Sequence, residues 1–152
     1  MRIKKVALQL AGIVAGLTLL SSAQADQHKI IDVHRDANCG CCTEWMAHME
    51  DNGFTIRDHV ETDMISVKQR LGVTPQLASC HTAVIDGKFI EGHVPAKDVA
   101  ELMERDDLIG LAVPGMPMGS PGMEMGDRKD AYQVIGLSKD GEKQVIAEYP
   151  QK

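Results

Sequence analysis

The order in which apolar spacing changes between Lys29 and Arg105 restricts this chain to few folds. "KIIDVHRD" is β-branched and apolar, as a strand from about Lys29 to His34 would be. In "CCTEWMAHMEDNGF", Trp45, Met49 and Met46 share one helical face, Thr43 and Glu44 stand near the start, and Gly53 ends the run. "FTIRDHVE" alternates as a second strand, and "DMISVKQRLGV" reads as a helix with Met64, Val67 and Leu71 inward. A helical crossover returns the chain in its original direction, so the first two strands are expected to run parallel. "TAVI" and "KFIEGHV" then flank Asp86 and Gly87, a tight hairpin signal, and Pro95 to Arg105 reads as a helix with proline in its first turn. Strand, helix, strand, helix, hairpin, helix is a thioredoxin-like α/β order: a small mixed sheet with flanking helices.

From Gly110 the composition shifts to "GLAVPGMPMGSPGMEMGDRKD", where Gly, Pro and Met follow neither period. An irregular Met-rich loop is expected there. "AYQVIGLSKDGEKQVIAEY" follows as a C-terminal β-hairpin around Asp140 and Gly141.

The chain opens "MRIKKVALQLAGIVAGLTLLSSAQADQ", with Arg2, Lys4 and Lys5 before an apolar run and Ala23 and Ala25 at its end. This reads as a cleavable secretory signal over residues 1–25, with Asp26 as the first mature residue. The run from Val6 to Leu20 falls short of the roughly 18 to 20 residues that span a bilayer. No cysteine follows the cleavage point, so neither a protein nor a lipid anchor to the membrane is expected. The mature protein is expected in a bacterial periplasm as a single domain, residues 26–152, long enough to bury about two-thirds of its unfolded surface. Loss of three basic residues takes the formal charge from −6 to −9, which argues against nucleic acid as a partner. Five aromatic residues against nine methionines favour soft thioether donors over a stacking surface.

Four cysteines remain to be explained: Cys39, Cys41 and Cys42 in "NCGCCTEW", and Cys80 in "ASCHTA". An even cysteine count in an exported protein suits structural disulfides, and Cys39–Cys42 with Cys41–Cys80 is sterically conceivable. That is the reading of a disulfide-stabilised binding module. Cys39 and Cys42 also form C-x-x-C where a strand meets a helix N-terminus, the setting that activates the thiol of a thiol-disulfide oxidoreductase. The extra thiol at Cys41 would intercept the mixed disulfide such exchange needs. The third reading is metal, because thiolates select soft ions such as Cu(I) and Zn(II). One tetrahedral zinc would take four ligands, for example Cys39, Cys42, Cys80 and His81, and leave Cys41 idle. Cu(I) accepts two to four soft donors and lets a thiolate bridge ions, so crowded cysteines suit more than one copper ion. Zinc stays as the alternative metal.

Met116, Met118, Met123 and Met125 stand in a background that builds no core helix, so each is either a soft-metal contact or packing on a sheet edge. His81 adjoins Cys80 and is a candidate ligand or an orienter of a cluster thiolate. His93 in "EGHVP" either faces the site or ends its strand, and His34 closes the first strand before Cys39. His28, His48 and His59 read as surface residues.

"CGCCTEW", "SCHTAVIDGKFIEGHVPA" and "GLAVPGMPMGSPGMEMG", in that order, resemble the CopG family of periplasmic copper-resistance proteins, long filed as a domain of unknown function. The resemblance runs from about Ile30 to Tyr149. It implies a thioredoxin-like fold with a cysteine-bridged copper cluster and a role in copper stress, with copper oxidation-state chemistry as an option. Carried over by motif, the ligands would be Cys39, Cys41, Cys42 and Cys80, with His81 as a further candidate. The implied partners are copper ions and periplasmic copper-export or copper-carrier proteins. Whether the protein is a copper or thiol oxidoreductase, or only binds, stays open at this point.

Overall fold

The computed structural model describes residues 29–151. The expected leader, residues 1–25, and His28 lie outside the described residues. Along the chain come β1 (Ile30–Arg35), α1 (Gly40–Asp51), β2 (Thr55–Val60), α2 (Met64–Arg70), β3 (Thr82–Ile85) and β4 (Lys88–Glu91). They are followed by α3 (Ala96–Met103), β5 (Leu108–Ala112), β6 (Tyr132–Ser138) and β7 (Lys143–Tyr149). The strands form one mixed sheet in the order β2-β1-β3-β4-β5-β6-β7.

As a helical crossover demands, β1 and β2 run parallel, with His34 opposite His59 in the register. Asp86 (φ 47°) and Gly87 (φ 74°) both take the left-handed region, which gives the β3–β4 hairpin a turn whose twist matches its strands. The register then sets Thr82 opposite Glu91. Alternate residues Ile31 and Val33 of β1 and Ala83 and Ile85 of β3 face a core completed by Trp45 and Met49 of α1 and Val99 and Leu102 of α3. On the opposite face, Val73 and Leu77 pack with Phe89, Ala112 and Leu137.

The expectation of irregular chain from Gly110 onward is corrected by β5, which pairs in parallel with β4 through Phe89↔Gly110 and Ile90↔Leu111. Helix α3 is the crossover between those two strands, so the chain contains a second β-α-β unit. Gly110 breaks nothing: the Phe89 ring lies where its Cβ would stand, so packing excludes a side chain there. Of the stretch expected to be irregular, residues 113–131, between β5 and β6, do carry neither helix nor strand. The C-terminal hairpin of β6 and β7 then extends the sheet past β5, with Gly141 (φ 82°) in its turn. No helix among the described residues is long and apolar enough to cross a membrane.

Candidate metal centre

Between β1 and α1 the chain turns sharply. Asn38 N–H donates to Asp36 Oδ1 at 2.8 Å, and Cys39 N–H donates to the Asp36 carbonyl at 3.1 Å. Cys39 is the N-cap of α1 without a side-chain cap, and the first turn holds no acidic residue. The free N–H groups and the positive end of the helix dipole therefore act on the cysteines themselves. Cys42, Trp45, Met46 and Met49 follow at helical spacing and are buried, which anchors the turn from below. Trp45 is clamped further by its Nε1–H, which donates to the Val94 carbonyl at 2.9 Å.

Cys39 and Cys42 are joined by a disulfide, while Cys41 and Cys80 are free thiols and half-buried. Cys41 Sγ lies 3.6 Å from Cys39 Sγ and 3.8 Å from Cys80 Sγ, so it is the sulfur between the two arms of the group. The sulfurs of Cys39, Cys41, Cys42 and Cys80 fall within 4.8 Å of one another. Cys80 Sγ also groups within that distance with ring nitrogens of His81 and His93. Of the two disulfides the spacing allows, the structure forms Cys39–Cys42 and leaves Cys41 and Cys80 in contact as thiols.

Both imidazoles are fully buried. His93 Nδ1 donates to the Pro121 carbonyl at 2.8 Å, and this fixes its tautomer: Nε2 offers a lone pair to Cys80 Sγ, 3.0 Å away. His81 Nδ1 stands 3.3 Å from the same sulfur, and its ring packs on Trp45 with centroids 4.4 Å apart. His81 Nε2 is buried with no hydrogen-bond partner among the described residues. Burial, and then the neighbouring Cys41, push the Cys80 thiol up to about 12. Burial first, then His93 and Lys68, hold His81 well below the usual histidine value, and burial lowers His93 against the pull of Pro121. Cys80, His81 and His93 are thus held in their uncharged forms at neutral pH, and a cation bound through Cys80 would have to displace the thiol proton. It follows that Cys80 should resist iodoacetamide at pH 8 and react only as pH approaches 12, since the thiolate is the nucleophile. Mass-mapped alkylation across pH measures this; rapid labelling of Cys80 at pH 8 would contradict the burial that raises it.

Residues 113–131 close over this pocket. Gly122 (φ 82°) presses against the first turns of α1, where a Cβ would come within 2.7 Å of Trp45 N and 2.8 Å of the Cys41 carbonyl. Ser79 Oγ–H donates to the Gly115 carbonyl, and Gly115 N–H to the Ala78 carbonyl at 3.2 Å. Within this segment Met118 and Met123 are half-buried, whereas Met116 and Met125 are exposed at 54% and 67%.

The structure brings Cys39, Cys41, Cys42, Cys80, His81 and His93 together and places His34 elsewhere. His34 alternates with the core-facing Val33, leaves the sheet on the other side, and sets Nδ1 2.7 Å from Glu61 Oε1. Its ring stacks on His59 at 4.9 Å, and His59 Nε2 meets Asp32 Oδ1 at 2.7 Å. The reading of His48 as a surface residue is corrected too: it is half-buried, and its Nε2 accepts from Ala96 N–H at 3.1 Å, capping α3. Sequence spacing missed Pro121 and Gly122 as walls of the pocket and Glu91 beneath it. Hairpin register was the available signal for His93, because pairing Thr82 with Glu91 lays His81 beside the Gly92–His93 step.

A family profile described as "Protein of unknown function, DUF411" matches residues 77–123. No match was found among curated proteins. Two solved structures are similar along most of the chain. "Copper resistance protein copG- Form 2" is 67% identical, covers 80% of this chain and 98% of its own, and superposes with a TM-score of 0.79. "Copper resistance protein copG- Form 1" is 68% identical, with 80% and 97% coverage and a TM-score of 0.78.

Proposed function

Because this chain belongs to the CopG copper-resistance family, we propose that it serves copper resistance by holding more than one Cu(I) ion in a cysteine-bridged site. The observation that carries the reading is the convergence of four sulfurs and two buried imidazoles at one helix N-terminus. Soft thiolates favour Cu(I), and a sulfur flanked by two others, as Cys41 is, is placed to bridge ions. A single zinc ion would leave donors over. Cys39, Cys41, Cys42 and Cys80 are the proposed thiolate ligands, with His81 and His93 as nitrogen donors. Met118 and Met123 are further candidates in the covering segment, whose exposed Met116 and Met125 suit hand-over to a copper-carrier or export protein. The fold is proposed as thioredoxin-like, on the order of its elements from β1 to α3, and the site of action as the periplasm, on the leader-like residues 1–25.

The Cys39–Cys42 disulfide adds a redox reading. Closing that bond releases two electrons and two protons from two thiols, which matches reduction of two Cu(II) ions to Cu(I). Opening it takes the same electrons back from two Cu(I) ions. Thiol-disulfide exchange on protein substrates is the second reading, favoured by the C-x-x-C at the start of α1. Anaerobic titration of the fully reduced protein with Cu(I) against a competing chelator tests the proposal. Two or more ions per chain, with all four thiols protected from alkylation, is the expected result. One ion or none would favour zinc or dithiol chemistry.

A further inference from the structure

Glu91 is fully buried at the end of β4, and every donor around its carboxylate is accounted for. Oε1 accepts from Lys68 Nζ at 2.5 Å and from Ser79 N–H at 2.6 Å, while Oε2 accepts from Thr82 Oγ1–H at 2.6 Å. Lys68 also donates to Thr82 Oγ1 at 3.0 Å, which closes the triangle. Burying a carboxylate is costly, and here burial raises the group while Lys68 opposes it. An apolar residue would fill the end of a strand at less cost, so the network calls for a reason beyond packing.

Its location supplies one. Strand alternation sends Glu91 and Thr82 to the face that carries Lys68 of α2, whereas His81 goes to the face of Trp45. The carboxylate therefore touches no donor of the pocket, and acts through the backbone. On one side of Cys80, the Ser79 N–H is held by Glu91 Oε1; on the other, the His81 carbonyl is held by Gly92 N–H at 3.0 Å. Cys80 is pinned between these two bonds, and its sulfur reaches Cys41 at 3.8 Å and His93 at 3.0 Å. The segment entering β3 has no other regular structure to fix it, because residues 71–81 lie outside any helix or strand. We propose that Glu91 is a positioning residue: by gripping the Ser79 N–H it holds Cys80 at contact distance from Cys41 across the pocket. What Cys80 then binds rests on the copper reading above, but the placement itself does not.

The test separates reach from charge and uses no copper. In a Cys39→Ser/Cys42→Ser background, the Cys41–Cys80 pair is equilibrated with oxidised and reduced glutathione. Two thiols lose two protons and two electrons to glutathione disulfide, which becomes two glutathione thiols, and the equilibrium gives the effective concentration of one thiol at the other. Glu91→Asp keeps the charge but withdraws the carboxylate by one methylene, and should lower that concentration about tenfold or more, as misplacement near 1 Å does elsewhere. Glu91→Gln keeps the reach and one accepting oxygen, and should stay within about threefold of the parent. Thermal melts of both variants report stability separately. An Asp variant equal to the parent, or a Gln variant that falls as far as the Asp variant, would overturn the positioning role. If Cu(I) titration fails while the Asp and Gln variants separate as expected, the copper reading falls and the positioning role stands.

Discussion

Cys41→Ser is expected to cut the Cu(I) capacity of the reduced protein from at least two ions per chain to about one. Cys41 Sγ is the atom in contact with both Cys39 and Cys80, the two sulfurs that come from different parts of the chain. A hydroxyl in its place is a hard donor that does not bridge Cu(I) ions, so the donors would be left as separate sets. The change removes one atom type and no volume of consequence, and Cys41 is half-buried, so stability should hold within about 0.5 kcal/mol. Chelator competition measures the stoichiometry and urea unfolding the stability. Unchanged stoichiometry would sink the bridged site and leave a mononuclear one standing.

The second large effect is expected at Gly122→Ala. With φ at +82°, any side chain at this position is strained by about 1–2 kcal/mol. The added Cβ would also meet backbone atoms, Trp45 N at 2.7 Å and the Cys41 carbonyl at 2.8 Å, which belong to a helix and give way poorly. Overpacking of this kind adds about 1–3 kcal/mol, so a total loss of about 2–5 kcal/mol is expected in chemical denaturation. Gly126→Ala is the internal control, since its φ is +71° but nothing lies within 4 Å of its Cβ. It should show the strain alone, about 1–2 kcal/mol. If the two variants lose the same stability, residues 113–131 do not rest on α1 as described. Should the segment lift instead, His93 loses Pro121 as its acceptor, and cleavage within 113–131 by added protease should speed up.

Much of the domain was legible because periodicity and turn chemistry act locally. Trp45, Met46 and Met49 recur at helical spacing and are buried as a set, and Asp86–Gly87 makes the hairpin that such a pair makes elsewhere. β5 was not legible, because a short apolar run ahead of a Gly-Pro stretch carries no period of its own. Its partner β4 lies across a helix, and Gly110 reads as a breaker until Phe89 is seen to cover it. In the site, the crowding of Cys39, Cys41 and Cys42 was visible as adjacency in sequence. The arrival of His93, the fixing of its tautomer by Pro121 and the departure of His34 to the other face depend on register and strand alternation. Glu91 left only a faint trace, a lone acid at the end of the apolar strand "KFIE".

The pocket draws on Cys39 to Cys42, Cys80 and His81, His93, and Pro121 with Gly122, so its parts are separated by as much as 83 positions along the chain. Contacts this distant in sequence form late, after the entropy of closing the intervening loops has been overcome. A chain still emerging or still collapsing has its cysteines but not their arrangement, and its metal preference is then that of any loose thiol. On the copper proposal, metal uptake would be a readout of completed folding, and the rate at which a refolding sample acquires tight metal should follow its slowest folding phase.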